Sequence, residues 1–184
     1  MIVPLRAICA AIVITCCCGA PAAAGQDSGA LYEAIKSRLS LMKPVAAWKL
    51  ASGVAVEDLA REKVVLEKTS SAATALGISA QTATAFFQAQ IDAAKEIQHC
   101  WIGRWEKGTS PRMTSYPDLK TEIRPDLIRL GNRILTVLKA NLAQDGSARG
   151  TGPSGFTSTV RIDCLSEAGS LKIYQALLQV RLAE

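Results

Sequence analysis

The 184-residue sequence predicts an all-α helical bundle of about five to six helices, on three observations. Ala, Leu, Glu, Lys and Gln dominate, and these side chains lose little freedom in a helix. Apolar positions recur at intervals of three and four, and no segment alternates convincingly with period two. Most glycines and prolines fall between the periodic stretches, where helices begin and end. At 49% hydrophobic residues, the chain is globular rather than disordered or collagen-like. A net charge of +5, spread without a basic block interleaved with aromatics, excludes a nucleic-acid groove. One histidine rules out most His-based metal sites and leaves little for a His-dependent hydrolase. No cofactor is expected.

Taken in order, residues 1–25 form a targeting segment. Arg6 is their only charge, an apolar run follows over 7–18, and Ala22-Ala23-Ala24 supplies small residues for cleavage. The run falls short of the roughly 20 residues a membrane-spanning helix needs. The expectation is a cleaved secretory signal, leaving residues 26–184 as one domain in the periplasm or outside the cell, without a membrane attachment. Cleavage removes four cysteines and leaves Cys100 and Cys164. In an oxidising compartment these either pair or stay as two buried thiols, and sequence spacing does not decide between them.

The first helix is expected over 28–50, kinked where Pro44 deletes a backbone donor. A second, over 56–76, stops at Gly77. Ser79 caps a third over 80–105. Residues 107–117 form a loop, and Pro125 suits the first turn of a fourth helix reaching 143. A Gly- and Ser-rich loop over 144–157 precedes one or two closing helices in 158–183. Long helices with short connections make a bundle.

Charges fall where a core belongs. In the first helix Leu31, Ile35, Met42 and Val45 share one stripe with Arg38 and Lys49. Those two cations lie three turns apart, about 16 Å along the axis. Burying them unpartnered is costly, so they need an anion, unless they reach water or pair with carboxylates. Asp58, Arg61, Glu62 and Val65 share a face of the second helix, which by itself is as consistent with a solvated surface. Phe87, Ile91, Ala94 and Gln98 line the third, where the Gln98 carboxamide must find a hydrogen-bond partner. Arg133 sits at the margin of the fourth helix's apolar face, formed by Leu127, Leu130, Ile134, Val137 and Leu138. Such an interior suits a small dianion bearing a hydroxyl and one further oxygen. It holds no nucleophile with a base and no phosphate-binding glycine loop. Three function classes remain: an enzyme working by positioning and charge stabilisation, an exported module that binds a dianionic metabolite without turnover, or a purely structural exported bundle in which Arg38 and Lys49 only form ion pairs.

The ordered run RLSLMKPVAAWK (38–49), VEDLARE (56–62), QIDAAKEIQ (90–98) and GNRIL (131–135) resembles the all-helical chorismate mutases, in particular their exported gamma-type branch. The resemblance implies conversion of chorismate to prephenate, a unimolecular Claisen-type rearrangement. It implies that Arg38 and Arg133 bind carboxylates, with Arg61 assisting. By the same likeness, Lys49 and Gln98 donate to the ether oxygen, and Glu62 with the Asp58 backbone holds the ring hydroxyl. Ala94 and Val65 stand where several relatives carry polar residues, so here they serve only as wall. The likeness also implies a homodimer with each site inside one protomer.

Overall fold

A computed structural model describes residues 26–145 and 152–184. The expected signal segment lies outside the described residues, as does part of the Gly- and Ser-rich loop.

Helices α1 (Gln26–Ser40) and α2 (Met42–Ser52) form one rod interrupted at Leu41. Pro44 accounts for the break, because it has no N–H to give to the Ser40 carbonyl. The ladder resumes with Val45 N–H on the Leu41 carbonyl at 3.1 Å. Leu41 keeps helical angles (φ −69°, ψ −10°), so the axis bends without a loop. α2 ends at Gly53, whose φ of +65° lets Val54 N–H turn back onto the Lys49 carbonyl at 3.0 Å.

α3 (Leu59–Ala75) and α4 (Ala80–Glu106) form an antiparallel pair. Gly77 (φ +69°) closes α3 as the sequence suggested, with Ile78 N–H returning to the Ala73 carbonyl at 2.9 Å. Ser79 stands at the head of α4, but its side chain caps nothing. The backbone there is used differently: Ser79 N–H donates to the Arg181 carbonyl, and Ala183 N–H donates to that of Gly77. Ile78 and Leu182 thus pair as an isolated antiparallel bridge, and this pairing sets the conformation from which α4 starts.

A five-residue π-helical turn, Leu119–Ile123, leads into α5 (Arg124–Asp145). The Asp118 carboxylate caps it by accepting from Lys120 and Thr121 N–H, while Glu122 accepts from Asp118 N–H in return. Pro125 lies in the first turn of α5, as expected. α6 (Gly152–Thr159) begins inside the stretch expected as a loop. Burial overrides its poor helix propensity: Phe156 is wholly inaccessible, edge-on to Tyr32 at 5.0 Å and 5.4 Å from Tyr174. α7 (Glu167–Leu178) completes the all-α fold and is capped by Ser166. The split rod and α6 bring the helices among the described residues to seven.

α4 is the central element, packed by α2, α3 and α7, while α1 lies along α5. The core runs through Leu31, Ile35 and Leu39 of α1, Phe86 and Ile97 of α4, and Ile134 and Leu138 of α5. Cys100 and Cys164 are joined, with Cα atoms 5.6 Å apart, tying α4 to the segment before α7. The two thiols left open by the sequence are therefore a disulfide.

Candidate functional site

The helices do not close completely on one another. A cavity of about 190 Å³ remains, walled by α1, α2, α3, α4, α5 and the Val56–Asp58 connection. Its wall carries six cations, Arg38, Lys49, Arg61, Lys68, Lys95 and Arg124, against two carboxylates, Asp58 and Glu62. Four positive charges are thus in excess, the field an anion seeks.

The α1–α2 stripe supplies the two most deeply placed cations. Arg38 is 6% exposed and Lys49 8%. Each is carried inward by the apolar positions flanking it on the same face, and the rod is continuous enough at Leu41 to keep them in register. The Arg38 atoms Nε and Nη1 are buried without a hydrogen-bond partner. Its guanidinium lies over the Phe87 ring, 5.5 Å from the centroid, a contact that offsets only part of the lost hydration. Desolvation accordingly lowers its pKa to about 10. Lys49 Nζ donates to the Val56 carbonyl at 2.6 Å. Burial pushes the Lys49 ammonium below its ordinary range, while the charges of Asp58 and Glu57 oppose that shift.

α3 brings Arg61, Glu62, Val65, Lys68 and Thr69 to the opposite wall. Asp58 starts this helix by accepting from Arg61 N–H at 3.0 Å, so one of the two wall carboxylates is used as an N-cap, where the helix dipole favours negative charge. The other, Glu62, pairs with Lys95 of α4: Nζ stands 3.1 Å from Oε2. Lys95 also lies 3.5 Å from Asp92. Partial burial works against its charge, but these carboxylates prevail and raise its pKa.

Phe87, Ile91, Ala94, Lys95 and Gln98 form the α4 wall. Gln98 Nε2 donates to the Ala94 carbonyl at 2.9 Å and approaches Met42 Sδ at 3.7 Å, while Oε1 is buried and unpartnered. α5 contributes Arg124, Leu127, Ile128, Gly131, Asn132 and Leu135. Gly131 lets α5 approach closely: a Cβ there would stand 3.4 Å from the Phe87 ring. His99, next to Cys100, faces away and meets Glu57 at 2.7 Å in an exposed pair. The hydrogen bond from His99 holds the Glu57 carboxyl below its usual range.

The structure thus gathers eight residues singled out in the sequence around one space: Arg38, Lys49, Asp58, Arg61, Glu62, Val65, Ala94 and Gln98. Arg133 is the exception. It is exposed and takes no part in the cavity wall. On α5 the cavity stripe is 124, 128, 131 and 135, and residue 133 is turned about 200° from 131, toward solvent. Arg124 stands at the head of that stripe and is the arginine that α5 supplies. Its signal in the sequence was the same helical spacing that exposed Arg38, displaced onto the flank of the core face. Among the described residues, no group of His, Cys, Asp and Glu has the arrangement of a metal site.

Three comparisons with known proteins bear on the family and the fold. Residues 29–99, the part of the chain bearing every wall residue named from α1 to α4, match the family model for chorismate mutase type II. The chain is 28% identical over 157 residues to a secreted chorismate mutase of Yersinia pestis, covering 85% of this chain and 83% of that protein. It is 33% identical over 104 residues to a secreted chorismate mutase of Mycolicibacterium smegmatis, covering 55% and 58%. A crystal structure of secreted chorismate mutase from Yersinia pestis superposes with a TM-score of 0.77 at 28% identity, covering 87% of this chain and 99% of that one.

Proposed function

Because the chain belongs to the type II chorismate mutases, we propose that its cationic cavity binds chorismate and holds it folded for rearrangement to prephenate. The activity is that of an isomerase. Chorismate carries two carboxylates, a ring hydroxyl and an enolpyruvyl ether oxygen, and each meets a complementary group in the wall. The observation that carries this reading is Arg38: a guanidinium buried with two N–H-bearing nitrogens unpartnered, facing a space with an excess of positive charge.

In this reading Arg38 binds one carboxylate, and Arg61 with Arg124 binds the other. Arg124 takes the place first expected for Arg133. Fixing both carboxylates brings the reacting ends together in a chair-like conformer, which removes most of the entropic cost of the step. As the ether bond breaks, negative charge grows on its oxygen. Lys49 donates to that oxygen, and Gln98 turns its amide from the Ala94 carbonyl to join it. Donors that meet this charge more strongly than the ground state lower the barrier. Glu62 and the Asp58 backbone hold the ring hydroxyl, while Val65 and Ala94 shape the wall. No proton needs to be transferred and no covalent intermediate forms.

Relatives in two genera are named as secreted proteins. With them, the disulfide and the signal-like residues 1–25 support export to the periplasm or the cell exterior. The protomer is read as half of a homodimer whose cavities lie each within one chain, and chorismate is the only partner invoked.

The test is to supply residues 26–184 with chorismate and follow its loss and the appearance of prephenate. Turnover faster than the uncatalysed rearrangement is expected. Binding without turnover would replace the enzyme with a metabolite-binding module, and absence of both would reject the site.

A further inference from the structure

A cavity made for a dianion has no electrostatic use for carboxylates, yet two stand in its wall. The Asp58 charge is absorbed by the first turn of α3. Glu62 lies in the first turn of the same helix but beyond the capping position, and its side chain is only 16% exposed. Left alone, it would repel the substrate at short range in a medium that screens poorly. Lys95 meets it from the facing helix at 3.1 Å, and its own side chain is 24% exposed. The contact engages Glu62 Oε2 and leaves Oε1 outside the pair. Asp92, at 3.5 Å on the outer side, holds the ammonium from behind.

We propose that Lys95 is a positioning residue: it cancels the Glu62 charge toward the dianion and fixes the carboxylate so that its free oxygen accepts the substrate hydroxyl. This inference rests on the chorismate reading of the cavity. Lys95 touches no reacting atom in it and acts through Glu62. The chief consequence is for ground-state affinity, because the repulsion it removes acts on the bound dianion whether or not the ether bond is breaking.

The test is a double-mutant cycle with Lys95→Met, which keeps the stem and removes the charge, in the native and Glu62→Gln backgrounds. In the native background Lys95→Met is expected to raise KM for chorismate about tenfold, within the coupling range of contacting residues, with kcat changed far less. Lys95→Arg, which restores charge and reach, is expected to recover most of that loss. In the Glu62→Gln background Lys95→Met is expected to change KM by less than about twofold, since no charge remains to cancel. A KM rise of equal size in both backgrounds would overturn the inference, because it would assign Lys95 a merely structural part, as would an unchanged KM in the native background. If the wild-type protein turns over no chorismate, the proposed function falls and the inference with it; turnover with an additive cycle removes the inference alone.

Discussion

α3 and α4 face one another across the same cavity, yet they are held in different ways. Twelve of the 27 residues of α4 are buried, against two of the 17 in α3, Thr69 and Ala73. α4 has core on its other sides, through Phe86 and Ile97, and a disulfide at Cys100. The inner face of α3 is divided: Arg61, Glu62, Val65, Lys68 and Thr69 border the cavity, while Leu66, Ala72 and Ala73 pack against the core. That helix is secured near its start by the Asp58 cap and the Glu62–Lys95 pair, and at its end by the turn around Gly77. The contrast shows how a small bundle builds a binding site: one wall belongs to the core, and the other gives up part of its packing to make room. The deep cations belong to the packed side, on α1 and α2, where their positions do not depend on a ligand.

The sharpest way to break this comparison is at those cations. Lys49→Met is expected to lower kcat/KM for chorismate by about 10²–10³-fold, the usual cost of losing one donor to developing charge, with the circular-dichroism signal of the helices unchanged. Arg38→Met is expected to abolish most activity while raising the melting temperature. The sign follows from its pKa of about 10, below the ordinary value of an arginine. The unfolded chain holds this proton more tightly, so the penalty is full below pH 10 and is relieved as pH rises above it. Removing the charge at neutral pH is expected to stabilise the empty protein by roughly 1–3 kcal/mol, read from denaturant unfolding. A destabilised but active Arg38→Met would place this residue in the core and not in the site.

A second measurement sharpens the contrast itself. In the ligand-free protein the amides of α3 are expected to exchange with solvent faster than those of α4, and a dianionic transition-state mimic is expected to slow α3 more than α4. Equal protection in both helices would erase the distinction. The smallest effect belongs to the exposed pair outside the cavity. Glu57 has its pKa lowered from the ordinary 4.5 by His99, so what it contributes is present above pH 4.5 and is lost as pH falls below that value. The melting temperatures of Glu57→Gln and the wild type are expected to differ slightly at pH 6 and to converge under strong acid.

Much of this was legible because helices repeat. Leu31, Ile35, Arg38, Met42, Val45 and Lys49 obey the three-and-four spacing so closely that one face could be drawn without coordinates, and all six are buried. The same rule places Phe87, Ile91, Ala94 and Gln98 together. On α5 the same spacing places Arg133 at the margin of the apolar face, where it is exposed; only the family likeness gives it a carboxylate to bind, and the cavity stripe of 124, 128, 131 and 135 carries too few apolar residues to stand out. Lys95 was hidden for another reason: spacing pairs it with Asp92 on its own helix, while its closer partner, Glu62, lies 33 residues earlier. α6 eluded propensity because what makes it a helix is Phe156 meeting Tyr32 from the start of the bundle and Tyr174 from α7.

Gly131 carries a consequence for how such proteins diverge. Since a single methyl at that position would already rest against Phe87, and the Phe87 ring is the floor beneath Arg38, an absent side chain on one helix sets where a charge stands on another. An alanine there would just touch the ring, whereas a valine is expected to press on it and, through it, on the guanidinium. Selectivity among similarly shaped acids is then adjustable from a position that bears no functional group at all.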